Sequence, residues 1–210
     1  MSGKYKRKDF LYNKAKDEGY RSRAAYKLLE IDSRFKLFKG SRKVLDIGSA
    51  PGGWSQVAVR LLKEDAIVVG VDIEAQKPFT KSEQGESPAK FVFIHGSITD
   101  KEIQDKLVSH VQGAVDVILS DMSPKLTGIK DRDQAESLRL VETAFTIAQS
   151  HLCAGGTFVA KLFPSPETDE FVNLLKQSFK RLHRVHADAS RKTSKEFYLV
   201  GVGFNKRKEE

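Results

Sequence analysis

The segment Asp46-Ile47-Gly48-Ser49-Ala50-Pro51-Gly52-Gly53 is the first stretch of this chain whose residue types and order point to chemistry. It follows the short apolar run Lys43–Ile47 and leads into a helical pattern from Trp54. Glycines at such a turn let the backbone approach a ligand closely, and the helix N-terminus behind them offers unpaired N–H groups. The order is not G-x-G-x-x-G, since a single glycine precedes the proline, and there is no Gly-Lys-Ser/Thr of a phosphate-binding P-loop. Asp72 closes the next apolar run 26 residues after Asp46, where an acid can accept hydrogen bonds from ribose hydroxyls. Further on, Asp121 follows the apolar run Ala114–Leu119, and Lys161 ends Gly155–Lys161. A carboxylate and an amine that end two neighbouring strands would both point over the same ligand-binding edge.

The elements that must position these residues alternate along the chain. Residues 22–36 read as a helix with Ser22 as N-cap and Ala24, Leu28, Ile31 and Phe35 on one apolar face. Arg23, Lys27, Glu30 and Arg34 run beside that stripe as a charged side. Strands are expected at Lys43–Ile47, Ala66–Val71, Phe91–Ile94, Ala114–Leu119 and Gly155–Lys161, with helices at Trp54–Leu62, Asp100–His110, Gln134–Leu152 and Pro166–Lys180. Residues 74–90 read as a loop, and Leu182–Ala187 with Phe197–Phe204 as a closing antiparallel hairpin. Regular alternation with short connections predicts one doubly wound α/β domain, a mostly parallel seven-stranded sheet with that hairpin at one edge. Ligands of such sheets bind beyond the carboxyl ends of the strands, which is where Asp46–Gly53, Asp72, Asp121 and Lys161 fall.

Composition narrows the class. The chain has 210 residues, 36 Lys+Arg against 28 Asp+Glu, and a single cysteine, Cys153. A lone cysteine excludes an internal disulfide framework, and no Cys/His group has zinc-ligand spacing, so no structural metal is expected. No apolar run reaches the roughly 20 residues of a membrane helix, and the charged N-terminus does not resemble a secretory signal, so a cytoplasmic protein is expected. The net charge of +8 is unevenly placed: +9 over residues 1–43, −5 over 44–160 and +4 over 161–210. Basic ends around an acidic middle suit a polyanionic partner held at the ends. Residues 1–20 read as a basic N-terminal arm and 21–210 as the folded domain.

Asp-x-Gly-x-x-Pro-Gly-Gly-Trp-Ser, beginning at Asp46, resembles the S-adenosylmethionine loop of the FtsJ/RrmJ-type RNA 2′-O-ribose methyltransferases. The likeness extends to Arg21-Ser22-Arg23-Ala24-Ala25-Tyr26-Lys27-Leu28, Ser120-Asp121-Met122-Ser123-Pro124 and Ser194-Lys195-Glu196, nearly the length of the chain. It implies a Rossmann-like class I methyltransferase domain and a Lys–Asp–Lys–Glu tetrad at Lys27, Asp121, Lys161 and Glu196. It also implies a methyl donor held by Gly48, Pro51, Gly52, Gly53, Trp54, Asp72 and Asp121, with Ser97 and Ile98 at the adenine. The family usually carries an aspartate where Ser97 stands; serine still accepts that hydrogen bond, without the charge.

Methyl transfer to a ribose hydroxyl is an in-line displacement that needs alignment and removal of a proton. Lys161 is the candidate base, although a lysine of ordinary pKa costs about 4.6 kcal/mol to deprotonate at neutral pH. In the alternative it stays charged and only orients the hydroxyl. Cys153 lies outside any Pro-Cys motif, and Asp121-Met122-Ser123-Pro124 lacks the Pro-Pro-aromatic tail that stacks a flipped base, so ribose is the expected target. Arg21, Arg23 and Arg34 flank Lys27, while Arg191, Lys192 and Lys195 flank Glu196; if the tetrad assembles, both clusters can hold RNA phosphates. The implied substrate is a uridine of large-subunit ribosomal RNA, free or in the assembled subunit. Transfer RNA, a small-molecule substrate, and a non-catalytic RNA-binding assembly factor are the competing readings.

Overall fold

The computed structural model describes residues 10–63, 65–190 and 194–206. In chain order its elements are α1 (Phe10–Asp17), α2 (Ala24–Phe35), β1 (Lys43–Ile47), α3 (Gly53–Leu61), β2 (Ile67–Asp72), α4 (Lys81–Gln84) and β3 (Lys90–His95). There follow α5 (Lys101–Val111), β4 (Val115–Ser120), α6 (Lys130–His151), β5 (Leu152–Leu162), α7 (Pro166–Leu175), β6 (Phe179–Val185) and β7 (Phe197–Phe204). The seven strands form one sheet in the order β3-β2-β1-β4-β5-β7-β6. β1 pairs in parallel with both β2 and β4, and β7 pairs antiparallel with β5 and with β6, so the expected edge hairpin is present. The chain runs outward from β1 to β3 and then crosses to β4. The carboxyl ends of β1 and β4 are therefore the switch point of the sheet, where a crevice must open.

Strand alternation sorts side chains between two cores. Leu45, Ile47, Ile118, Phe158, Ala160 and Leu199 pack under α5, α6 and α7. Val44, Val68, Val117, Leu119, Val159, Tyr198 and Val200 pack under α2 and α3. Because the period is two, Asp46, Asp72, Asp121 and Lys161 continue the second series. One face of the sheet thus carries every polar strand-end residue singled out above. Among the described residues no helix is long and apolar enough to cross a membrane.

Several expectations need correction. α2 begins at Ala24 with Arg23 as N-cap and no side-chain cap, because Ser22 instead packs against Gly53, where a Cβ would lie 2.2 Å from its Oγ. The expected loop 74–90 contains α4, held by a capping box in which Thr80 and Glu83 satisfy each other's backbone N–H groups. The seventh helix stops at Leu175 and the chain enters β6 at Phe179, whose ring is buried against Phe158 and Phe204. α6 starts at Lys130, and β5 starts at Leu152 directly behind it, so Cys153 lies in a strand. Residues 10–20 are tied down: α1 is followed by Tyr20 N–H donating to the Ala15 carbonyl at 2.7 Å, and Gln56 donates to the Gly19 carbonyl at 2.6 Å.

Candidate active site

Asp121 and Lys161 meet at the ends of β4 and β5. Lys161 Nζ lies 3.0 Å from Asp121 Oδ1 and donates to the Asp121 main-chain carbonyl at 2.8 Å. Lys161 is 8% exposed, so its ammonium has few water molecules to replace these oxygens. In the antiparallel β5–β7 register Lys161 stands opposite Tyr198, on the same face. The Tyr198 hydroxyl donates to Asp121 Oδ1 at 3.2 Å. Burial, followed by the charges of Asp121 and Glu196, pushes the phenol well above its ordinary pKa, so it remains a donor.

Lys27 and Glu196 form the second pair. Lys27 sits on the first turn of α2 and Glu196 immediately before β7; their ammonium and carboxylate are in direct contact. Lys27 belongs to the charged side of the helix, yet only 8% of it is exposed. The reason is the partner: a buried ammonium is tolerable when a carboxylate and a ring face share it. Its Nζ is 5.6 Å from the centre of the Tyr198 ring, and Ser190 Oγ donates to the same Glu196 oxygen at 2.8 Å. Burial raises the Glu196 carboxyl, but the hydrogen bond and charge of Lys27, the Ser190 hydroxyl and the charge of Lys161 outweigh it and hold it below its ordinary value. Tyr198 therefore joins the two pairs, its hydroxyl on Asp121 and its ring beneath Lys27. Sequence reasoning missed it; its place opposite Lys161 follows only from the β5–β7 register.

Beside this cluster, at the β1/β4 switch point, opens a cleft of about 570 Å³. Gly48, Asp72, Ser97, Ile98 and Asp121 line it, together with Glu74, Thr99, Met122 and Glu136, which the sequence did not single out. Gly48 has φ 76°, and a Cβ there would come within 2.5 Å of Met122, so only glycine lets the loop pass under the β4 end. Asp72 accepts the Ala50 and Glu74 N–H groups, each at 2.8 Å, fastening the glycine loop to the end of β2. The Ala50–Pro51 peptide is cis. Four acids (Asp72, Glu74, Asp121 and Glu136, against Lys125 and Arg139) and several hydroxyls set among Ile47, Val71, Ile98 and Met122 suit a ligand with positive charge, a diol and a flat apolar ring.

Four of the expected contact residues face elsewhere. Trp54 is buried on α3, donating from Nε1 to the Ala24 carbonyl at 2.9 Å with its ring 5.5 Å from that of Tyr198, so it supports the tetrad cluster and does not line the cleft. Gly53 serves the close approach of α3 to Ser22, and Pro51 lies outside the cleft wall with its carbonyl facing Arg21. Arg21 was expected to meet RNA phosphates, yet its guanidinium is committed inside the protein. It donates to Glu83 at 2.7 and 3.0 Å and to the Lys77 and Pro78 carbonyls at 2.6 Å each, and stacks 4.2 Å from the centre of Phe79. That pairing, chiefly the hydrogen bond from Arg21, depresses the Glu83 carboxyl to about 2. Arg23 donates to the Ala189 carbonyl at 3.5 Å, Arg34 and Lys195 are exposed, and Arg191 and Lys192 lie outside the described residues.

The model of the FtsJ-like methyltransferase family matches residues 20–204. A Methanobrevibacter smithii protein named ribosomal RNA large subunit methyltransferase E is 40% identical over 203 residues, spanning 97% of this chain and 93% of its own. The protein of the same name from Methanothermobacter thermautotrophicus is 42% identical over 200 residues, with 95% and 91% covered. Among solved structures, a Plasmodium falciparum protein described as a ribosomal RNA methyltransferase superimposes with a TM-score of 0.74 at 28% identity, covering 90% of this chain and all of that one.

Proposed function

The chain belongs to the FtsJ-like methyltransferase family, and on that premise we propose that it methylates a ribose 2′-hydroxyl in large-subunit ribosomal RNA, with S-adenosylmethionine as methyl donor. The observation that carries this reading is the cluster Lys161–Asp121–Tyr198–Lys27–Glu196, which adjoins the acidic cleft through Asp121, a residue of its wall. In the cleft, Asp72 would accept from the donor's ribose, Ser97 and Thr99 would face its adenine over Ile98, and the acidic lining would favour its positive charge. S-adenosylmethionine supplies a methyl group on a sulfonium, an electrophile set against a neutral thioether leaving group.

The chain's own residues do the rest. Asp121 fixes Lys161 through two oxygens, and Tyr198 fixes Asp121 in turn. Lys161, once it has released its own proton to solvent, would hold the ribose hydroxyl in line and receive that hydroxyl's proton as the new O–C bond forms. Lys27 and Glu196 form the far wall, where an ammonium can face the phosphate next to the target ribose. On this reading the reaction belongs to the cytoplasm, with residues 21–210 as the methyltransferase domain and 1–20 as a basic N-terminal segment whose residues 10–20 pack against it.

The test is mapping of 2′-O-methylation in ribosomal and transfer RNA after incubation with labelled methyl donor. Incorporation at a ribose of large-subunit RNA, abolished in Lys161→Ala, is expected. Incorporation that survives Lys161→Ala removes Lys161 from the chemistry, and near-normal activity of Lys161→Arg removes its role as base. No incorporation into any RNA, with RNA binding intact, would instead indicate a non-catalytic assembly factor.

A further inference from the structure

Two concavities, each of about 570 Å³, lie toward opposite ends of β1 and carry opposite charge. The first is the acidic cleft at its carboxyl end. The second precedes β1, between the turn that follows α2 and the end of α3, with Phe38 and Leu61 among its apolar lining. Lys36, Lys39, Arg42 and Lys63 line it against one acid, Asp32. Asp32 Oδ1 is already engaged, accepting the Phe38 N–H at 3.2 Å. Among the described residues none of these four cations is in an ion pair with a carboxylate.

The turn that carries three of them is braced from within. Lys36 takes a left-handed conformation with its N–H on the Asp32 carbonyl at 2.7 Å, Lys39 N–H reaches the Lys36 carbonyl at 3.1 Å, and Ser41 Oγ donates to the Leu37 carbonyl at 3.0 Å. Arg42 N–H donates to Asp116 Oδ2 at 2.7 Å, anchoring the turn to the sheet. Four exposed cations gathered in a concavity repel one another and focus a positive potential, which an anion spanning them relieves.

We propose that this basic pocket is a second, remote contact for the backbone of the RNA substrate; the assignment rests on the RNA reading above. Helix α2 sets the geometry. Lys27 stands near its start at the tetrad and Lys36 caps its end at the pocket, about 14 Å apart along an axis that rises about 1.5 Å per residue. A strand whose target ribose lies at Lys161 can therefore place phosphates several nucleotides away in the pocket. Contacts of this kind fix register without reading sequence.

The experiment is the salt dependence of binding to deproteinised large-subunit RNA and to intact large subunits, for the wild type and for Lys36→Gln/Lys39→Gln/Lys63→Gln. Each phosphate contact contributes about 0.9 to the slope of log K against log salt for duplex and about 0.7 for single strands. The triple variant should bind both substrates more weakly, with a slope shallower by about 2 to 3. The wild type should accordingly lose about 20- to 40-fold more affinity than the variant over a fourfold rise in salt. Lys63→Glu alone, from the α3 side, should flatten the slope by about 1, and thermal unfolding checks that both variants are folded. Unchanged slopes and affinities on both substrates would overturn the proposal. A loss confined to intact subunits would also overturn it, assigning the pocket to a ribosomal protein. A wild type that neither binds nor methylates RNA would mark failure of the underlying reading, a different result from a variant that matches an active wild type.

Discussion

Asp46 lies on β1 directly before the glycine loop, fully buried, with Oδ2 accepting from Ser55 Oγ at 2.6 Å and Oδ1 without a partner. Burial above all, with the charges of Asp121 and Asp72, raises its carboxyl from 3.8 to about 7 against the opposing Ser55 hydrogen bond. The fold therefore favours the neutral acid, and the unfolded chain releases this proton at lower pH than the folded one. Stability is lost as pH rises from about 4 to about 7 and stays lost above it. The full loss is about 4 kcal/mol, from a difference of about 3 pH units at about 1.36 kcal/mol each. Near pH 5 somewhat over a third of it has already appeared, leaving about 2 to 3 kcal/mol between there and pH 8. Asp46→Asn keeps an acceptor for Ser55 and cannot ionise. Urea unfolding of both proteins across this range should show the variant gaining on the wild type by about 2 to 3 kcal/mol as pH rises, other titrating groups cancelling in the difference. A difference constant with pH would refute the reasoning, because Asp46 would then ionise in the fold as easily as out of it.

Tyr198→Phe keeps the buried ring and removes the hydroxyl that donates to Asp121 at 3.2 Å; steady-state methyl transfer should show kcat down by about 10-fold, in line with a hydrogen bond to a charged group, with the KM for the methyl donor little changed. Arg21→Lys cannot reproduce the fork on Glu83 or the contacts to the Lys77 and Pro78 carbonyls; denaturant unfolding should show a loss of about 1 to 3 kcal/mol, and a donor titration weaker binding, since the same side chain reaches Pro51 in the glycine loop. Lys27→Met strips Glu196 of the partner that holds its carboxyl below the ordinary value; as the folded pKa rises, the acid limb of the pH–rate profile should move to higher pH, and an unmoved limb would show that Glu196 is not required as a carboxylate.

Much of the site could be read from the chain because it depends on local periodicity. Alternating strands and helices dictate a parallel sheet, and a period of two along each strand puts Asp46, Asp72, Asp121 and Lys161 on one face at the same edge. The charged stripe of α2 was visible too, but not which of its members would be buried. Lys27 is withdrawn from solvent because Glu196, 169 positions away, arrives beside it. Arg21 has the residue type of a phosphate contact, yet Glu83, 62 positions on, and the carbonyls of Lys77 and Pro78 claim its donors first. Tyr198 and Trp54 take their places as the shared floor of the tetrad only once β7 has inserted between β5 and β6 and α3 has packed beneath α2. Hydrogen-bonded periodicity, a property of neighbours in the chain, determined the fold class and the face on which the polar strand ends gather. The partners of long charged side chains were decided by the tertiary structure, since desolvation and Coulomb attraction act over a few ångströms in space whatever the separation in sequence.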